Sequence, residues 1–544
     1  MITVPRLLAV LSYGMLLCAC SSHRTPSPAD VSASANVQDT SGPREWAMYG
    51  HDYGHRRYSP LSEINARNAS NLIPAYVFQT GVFGSLETSP IVSDGVMYIS
   101  TAYDAVAAID ARTGNLLWKR PPLSGRFKIC CGPANRGVAI AHDLVIIGQL
   151  DGVLVALERS SGDVRWAKVV ADNAEGYSMT MAPLVLGSSV IIGVGGGEFG
   201  IRGSLSSYAL RNGTLKWRWY ATDPRHWFGT SKRLRSDFGR YDETESTKRR
   251  KMFADSWKRG GGGIWTTPAF DPKSNTLYLT TGNPWPDYNG ERRPGDNLFT
   301  DCIVALDAST GKMKWYFQAT PHDTHDHDAA SPPFLFETVD DSRRPFLAVG
   351  EAGKDGILYV LNRETGKLVR RSQNVVESRP VATHANAWDG GSSWSPVSFD
   401  PRLGYAIVTA AEHKRPSLGI GAGAKGGTRI SQDPGRNSGY GTVSAVSVAT
   451  GRIVWQDTFD EGLVGGSVST AGDVTFVGEG NGYFDALDTR SGERVWHFQT
   501  GAGVNAPPIA FEVDGHEYVA VASGGNQQLG TPQGDAIFAF RLGK

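Results

Sequence analysis

Ala108-Ile-Asp-Ala-Arg-Thr-Gly-Asn-Leu-Leu-Trp118 is the stretch that decides the fold, because it recurs down the chain. A small residue leads to an acidic or polar position, then to a Thr/Ser-Gly turn, then to a tryptophan. The same order runs from Ala156 to Trp166, Ala305 to Trp315, Ala445 to Trp455 and Ala486 to Trp496. Two copies are degenerate: Ala209 to Trp217 is two residues shorter, and Val360 to Arg370 ends on arginine instead of tryptophan. Each of the seven copies reads as a strand, a glycine turn and a second strand whose tryptophan packs between neighbouring sheets. Apolar runs such as Gly95-Val-Met-Tyr-Ile-Ser100 and Asn275-Thr-Leu-Tyr-Leu-Thr280 precede most copies and supply inner strands. Four strands per unit, repeated radially, predict an all-β propeller.

The eighth unit comes from the two ends of the chain. Tyr76-Val-Phe-Gln-Thr-Gly81 mirrors Trp496-His-Phe-Gln-Thr-Gly501 but has no repeat of its own before it. Asp535-Ala-Ile-Phe-Ala-Phe-Arg541 is a strand with no Gly-Trp unit after it. Pairing these halves closes an eight-bladed ring and leaves no free edge. Composition agrees: 65 Gly, 14 Trp and 19 Tyr among 544 residues suit many short strands joined by tight turns. The formal net charge is zero, which gives no electrostatic case for nucleic acid or an anionic membrane surface. Insertions near 223–263 and 411–440 interrupt the repeat and are where substrate-covering loops are expected.

The N-terminus stands apart from the propeller. Arg6 precedes an apolar run from Leu7 to Leu17 that is too short to span a bilayer. Leu17-Cys18-Ala19-Cys20-Ser21-Ser22 resembles a bacterial lipoprotein signal, cut before Cys20 and acylated there. That reading makes 1–19 a signal, 20–44 a Ser/Thr/Pro/Ala-rich tether and 45–544 the propeller. It places the protein in the periplasm, anchored at the outer membrane through Cys20. An ordinary cleaved secretory signal is the other reading. No Cys-x-x-Cys-His occurs, so a covalently attached c-type haem is excluded.

Four features carry chemistry. Cys130-Cys131 is either a vicinal disulfide, favoured in an oxidising compartment, or a pair of thiols with only Cys302 left to share a metal. In Gly195-Gly196-Gly197-Glu198 the glycines let the backbone approach a ligand closely, and Glu198 offers a hard carboxylate. Asn283, in Gly282-Asn-Pro284, offers an amide oxygen just after a strand. Pro321-His-Asp-Thr-His-Asp326-His-Asp328 crowds three His and three Asp into seven residues. Its histidines suit zinc, whereas Glu198, Asn283 and Asp326 together form an oxygen set for a hard cation.

Taken together, over roughly 45–544, these residues resemble the quinoprotein alcohol dehydrogenases, pyrroloquinoline quinone (PQQ) enzymes that include methanol dehydrogenase. Trp46-Ala-Met-Tyr-Gly50 and Arg57-Tyr-Ser-Pro-Leu61 extend the likeness to the start of the propeller. The resemblance implies a Cys130–Cys131 disulfide on one face of PQQ and Trp265 stacked on the other. It implies Arg136 toward the quinone oxygens, and Glu87, Thr180, Gly196, Gly197, Lys354 and Ser393 as further cofactor contacts. Glu198, Asn283 and Asp326 match metal ligands, and Asp326 matches the general base. Gly195 and Ser393 depart from the family pattern, where a Ser and an Asn are often found. Lanthanide-dependent members carry a second Asp two residues after the base, as Asp328 does here, so a lanthanide is expected ahead of calcium. The implied reaction oxidises an alcohol to an aldehyde by hydride transfer to metal-polarised PQQ, with electrons leaving to a separate cytochrome c. The alternatives are a non-catalytic propeller lipoprotein serving as an outer-membrane scaffold, or a PQQ dehydrogenase acting on a sugar or polyol.

Overall fold

The structure is a computed structural model that describes residues 44–376, 390–412 and 439–543. The expected signal, the tether up to residue 43, and all but the edges of the 411–440 insertion lie outside the described residues.

Short strands alternate with glycine turns, and the strands assemble into eight antiparallel sheets around a ring. Five of them are plain four-strand meanders with inner strands at Ile91–Ser93, Ala139–Ala141, Leu184–Leu186, Ala269–Asp271 and Phe334–Val339. The sixth is built from Ser398–Asp400, Tyr405–Glu412, Tyr440–Ser447 and Ile453–Phe459. In the seventh, Tyr58–Ser59 adds a short parallel strand to Ser467–Thr470 at the inner edge. The eighth joins the two ends of the chain, as the sequence predicts. Leu72–Gln79 is its outer strand and pairs with Ala536–Leu542, from Leu72 opposite Leu542 to Gln79 opposite Ala536.

What locks the blades together is a repeated donor. The Trp118 indole nitrogen donates to the Arg159 carbonyl of the next blade at 2.9 Å, and Trp166 does the same to Leu210 at 2.9 Å. Trp217 reaches Ala308 at 3.0 Å, Trp315 reaches Arg363 at 3.0 Å, Trp455 reaches Thr489 at 3.0 Å and Trp496 reaches Leu72 at 3.1 Å. Arg370, where the repeat has no tryptophan, donates to Val448 at 3.2 Å. Tyr76 closes the circle with its hydroxyl on Ala111 at 2.9 Å. The invariant turn glycine is the other half of the joint. A β-carbon on Gly162 would stand 2.5 Å from the Trp118 ring, so the glycine of one blade makes room for the tryptophan of its neighbour.

The first described segment is stapled under this ring by Arg57, which is fully buried. Its guanidinium donates to the carbonyls of Tyr49, Ser467 and Pro508 at 2.5, 3.1 and 2.6 Å, and lies 5.1 Å from the Trp46 ring. Burial lowers its pKa to about 10, and the three carbonyls replace the water it has lost.

The insertion after the third blade folds as a hairpin, Arg235–Ser236 with Gly239–Arg240, followed by the helix Glu243–Met252. Asp242 caps that helix by accepting from the Glu245 amide at 2.8 Å. Cys302 is buried and free.

Candidate active site

Loops between blades converge on a chamber with an arginine end and a carboxylate end. At the first, Glu87 is buried and pairs with Arg136 at 2.8 Å. Arg136 also donates to the Thr180 hydroxyl at 2.9 Å, and its guanidinium carbon lies 5.0 Å from the Trp265 ring and 5.5 Å from that of Trp394. Its Nε is buried without a partner. The preceding residue, Asn135, is itself held in place: its side-chain amide donates to Asp104 at 2.8 Å and to the Gly148 carbonyl at 2.9 Å. Burial pushes Asp104 up to about 7. Asn526, from the far end of the chain, donates to Glu87 at 2.6 Å.

At the other end, Lys354 is the hub. Its ammonium donates to Asp326 and to Asp328 at 3.0 Å each. Burial works against that charge, yet the two carboxylates outweigh it and hold Lys354 above the usual lysine range. Asp328, which a charged loop would leave in water, is buried and accepts the backbone N–H of Asn283. Asp326 carries a left-handed backbone, φ 64°, in the loop after the fourth blade. Gly196 and Gly197 lead into the turn Gly197–Phe199, which buries the Glu198 carboxylate with one oxygen unpartnered. Burial, then the charge of Asp328, raises the Glu198 pKa.

The two ends belong to one chamber. Cys130 and Cys131 are joined by a disulfide, and a Glu198 carboxylate oxygen lies within 4.8 Å of both sulfurs. Gly282 fills the gap between Trp265 and Asp328: a β-carbon there would lie 3.1 Å from the Asp328 carboxylate and 3.3 Å from the Trp265 indole nitrogen. Ser393 is buried beside Trp394, and its carbonyl accepts the Ser395 hydroxyl at 3.0 Å.

Three members escape a reading of the sequence. Asn526 and Trp394 sit in unremarked stretches and reach Arg136 or Glu87 only through ring closure. Asp287 is buried with one oxygen unpartnered. Burial and the charge of Glu198 push it up to about 7. Only its position four residues after Asn283 hints at a role. The seven-residue His/Asp run is divided among several tasks. His322 meets the Gly295 carbonyl at 2.7 Å and Asp237 of the insertion at 3.1 Å. Asp323 accepts the backbone amides of His325 and His327 at 3.1 and 2.9 Å, and so shapes the loop that carries Asp326.

The residues fit the groups the sequence implies. Glu198 and Asp287 each hold a buried carboxylate oxygen without a partner, the Asn283 side-chain amide adds a carbonyl oxygen beside Asp328, and Lys354 is the ammonium that Asp326 and Asp328 share. Such an oxygen set suits a hard cation. An arginine with a spare N–H, flanked by two indoles, suits a planar aromatic acid.

Residues 46–387 match the family described as PQQ, glucose/ethanol/alcohol dehydrogenase, β-propeller domain. Residues 397–535 match a second, described as outer membrane protein assembly factor BamB. The quinoprotein alcohol dehydrogenase PedH of Pseudomonas putida is 33% identical, covering 91% of this chain and 89% of its own. The lanthanide-dependent methanol dehydrogenase of Methylorubrum extorquens is 31% identical, with 92% and 90% covered. Among solved structures, the quinohemoprotein alcohol dehydrogenase of Comamonas testosteroni superimposes with a TM-score of 0.77 at 30% identity, covering 94% of this chain and 82% of that one. A europium-containing methanol dehydrogenase gives 0.76 at 26%, covering 92% and 98%. The chain belongs to the PQQ-dependent alcohol dehydrogenase family.

Proposed function

We propose that the protein is a periplasmic PQQ-dependent dehydrogenase that oxidises an alcohol to an aldehyde with Asp326 as general base and a cytochrome c as electron acceptor. The observation that carries this reading is the Asp326–Lys354–Asp328 triad near Glu198, one of whose carboxylate oxygens is buried without a partner. When bound, PQQ supplies the two-electron acceptor and the metal ion supplies Lewis acidity. Glu198, Asn283 and Asp326 would hold the ion, and Arg136, Glu87, Thr180, Gly196, Gly197, Lys354 and Ser393 would line the cofactor. The Cys130–Cys131 disulfide and Trp265 would bound its two faces.

Asp326 takes the proton of the substrate hydroxyl at a carboxylate oxygen. Lys354 keeps that carboxylate oriented from one side, so its basic lone pair is directed into the chamber. Trp394 and Trp265 exclude water from the arginine end. The metal follows from charge. Asp328 adds a carboxylate to Glu198, Asp326 and Asp287, with the Lys354 ammonium among them and the Arg293 guanidinium beside Asp287, and the added negative charge favours a trivalent ion over calcium. The lanthanide-dependent relative supports the same choice.

The test is Asp326→Asn. Alcohol-dependent dye reduction is expected to fall by about a thousandfold or more, while PQQ absorbance stays with the purified protein. Unchanged turnover would overturn the assignment of the base.

A further inference from the structure

The even-numbered carboxylates of the Asp326 loop share Lys354, whereas its odd-numbered imidazoles stand beside Asp323, with His325 Nδ1 also meeting the Thr324 hydroxyl at 3.3 Å. The His325 and His327 rings stack with centroids 5.4 Å apart and planes 16° from parallel. One donor atom from each of Asp323, His325 and His327 lies within 4.8 Å of the others. His327 Nδ1 is 3.7 Å from the nearer Asp323 oxygen.

We propose that Asp323, His325 and His327 form a second metal site, for a borderline divalent cation such as zinc or copper(II), distinct from the hard-cation site. Metal–ligand bonds of about 2.0–2.2 Å in tetrahedral geometry set neighbouring donor atoms about 3.3–3.6 Å apart. The pair at 3.7 Å stands just outside that spacing, and no two of the three donor atoms are more than 4.8 Å apart. Asp323 is pre-organised. Its side chain is fully buried, and its two oxygens accept the backbone amides of the two residues that supply the imidazoles. Each oxygen keeps a lone pair for a metal. Both histidines are half-buried, which leaves an entry path and room for water to complete the coordination.

Donor chemistry separates this site from the other. Two imidazoles and one carboxylate favour zinc, copper(II) or nickel, whereas the all-oxygen cluster of Glu198, Asn283 and the aspartates favours calcium or a lanthanide. One loop therefore sorts two classes of ion, and the second site does not depend on the proposed reaction.

The experiment titrates the full-length, metal-stripped protein with zinc in the presence of excess lanthanum, using a chromophoric competitor to read free zinc. Wild type is expected to take up a zinc ion that lanthanum does not displace. The His325→Gln/His327→Gln double variant is expected to lose that affinity by about a hundredfold or more, with unchanged lanthanum content and thermal midpoint. The same samples with copper(II) should show nitrogen hyperfine structure from two imidazoles in wild type and not in the variant. Equal zinc affinity in both proteins, or no zinc uptake by wild type, would overturn the proposal. Where the double variant is poorly folded, His327→Asn alone, whose ring is partly exposed, carries the same comparison.

Discussion

At the scale of single residues, the position of Asp328 is the most informative. It is buried, bonded to Lys354 and to the Asn283 backbone amide, and so stands beside the cluster proposed to hold the metal. Replacing it with alanine removes one charge from the cage while leaving Glu198, Asn283 and Asp326. Asp328→Ala is therefore expected to weaken lanthanum binding by more than tenfold and calcium binding by less, measured by competition titration. Equal losses for the two ions would show that its charge does not select. Glu517 gives a different kind of test. It is buried on the eighth blade, where it accepts the Ile64 amide at 2.9 Å. Burial pushes its carboxyl up to about 7. The folded protein thus holds this proton more tightly than the unfolded chain does. Stability from it is complete below the usual carboxylate range and is lost as pH rises through about 7, a swing of about 3 kcal/mol. Glu517→Gln should flatten that slope, so its thermal midpoint gains on wild type between about pH 5 and pH 8. Parallel curves for the two proteins would count against it.

At the scale of elements, the joint between blades is the unit that matters. Trp315 combines ring packing over Gly366 with an indole donor to Arg363. Trp315→Phe keeps most of the packing and loses the donor, for an expected cost of about 1 kcal/mol. Trp315→Ala loses both, for about 3–5 kcal/mol, each read from denaturant unfolding. Similar costs for the two variants would mean that the hydrogen bond, not the ring, holds the joint. These joints were legible in the sequence because glycine turn and tryptophan recur at fixed spacing. The spacing also located the degenerate copy at Val360 to Arg370. It did not reveal that Arg370 makes the tryptophan's contact, since a long guanidinium and an indole share no pattern, only a reach. The same limit applies at the site. Cys130-Cys131, Glu198, Asn283 and the His/Asp run announce themselves locally by unusual residue types. Asn526, Trp394 and Asp287 do not, because their roles come from what stands opposite them across the ring. The Asp237–His322 contact was hidden for the same reason: an insertion has no repeat to be read against.

For the whole molecule, the decisive contact is between the ends. Leu72–Gln79 finds its partner in Ala536–Leu542, and both faces of the blade are completed by it. A chain ending at Gly534 would leave the outer strand Leu72–Gln79 without its strand partner and His516–Ser523 as an open edge. It is expected to lose the wild-type elution peak in size-exclusion chromatography, and a peptide spanning 535–543 added during refolding should restore part of it. Elution at the wild-type position without that peptide would show that the seam is dispensable.

That seam also sets a timetable. Leu72 and Leu542 are 470 positions apart (542 − 72), among the longest closures such a chain can make. The Glu87 carboxylate waits as long, since its partner Asn526 lies 439 residues downstream. Until synthesis is nearly over, the arginine end of the chamber lacks a member and the first strand lacks a neighbour. Maturation is thus vectorial: the arginine end of the chamber reaches its final form only after Asn526 and the last strand have been delivered.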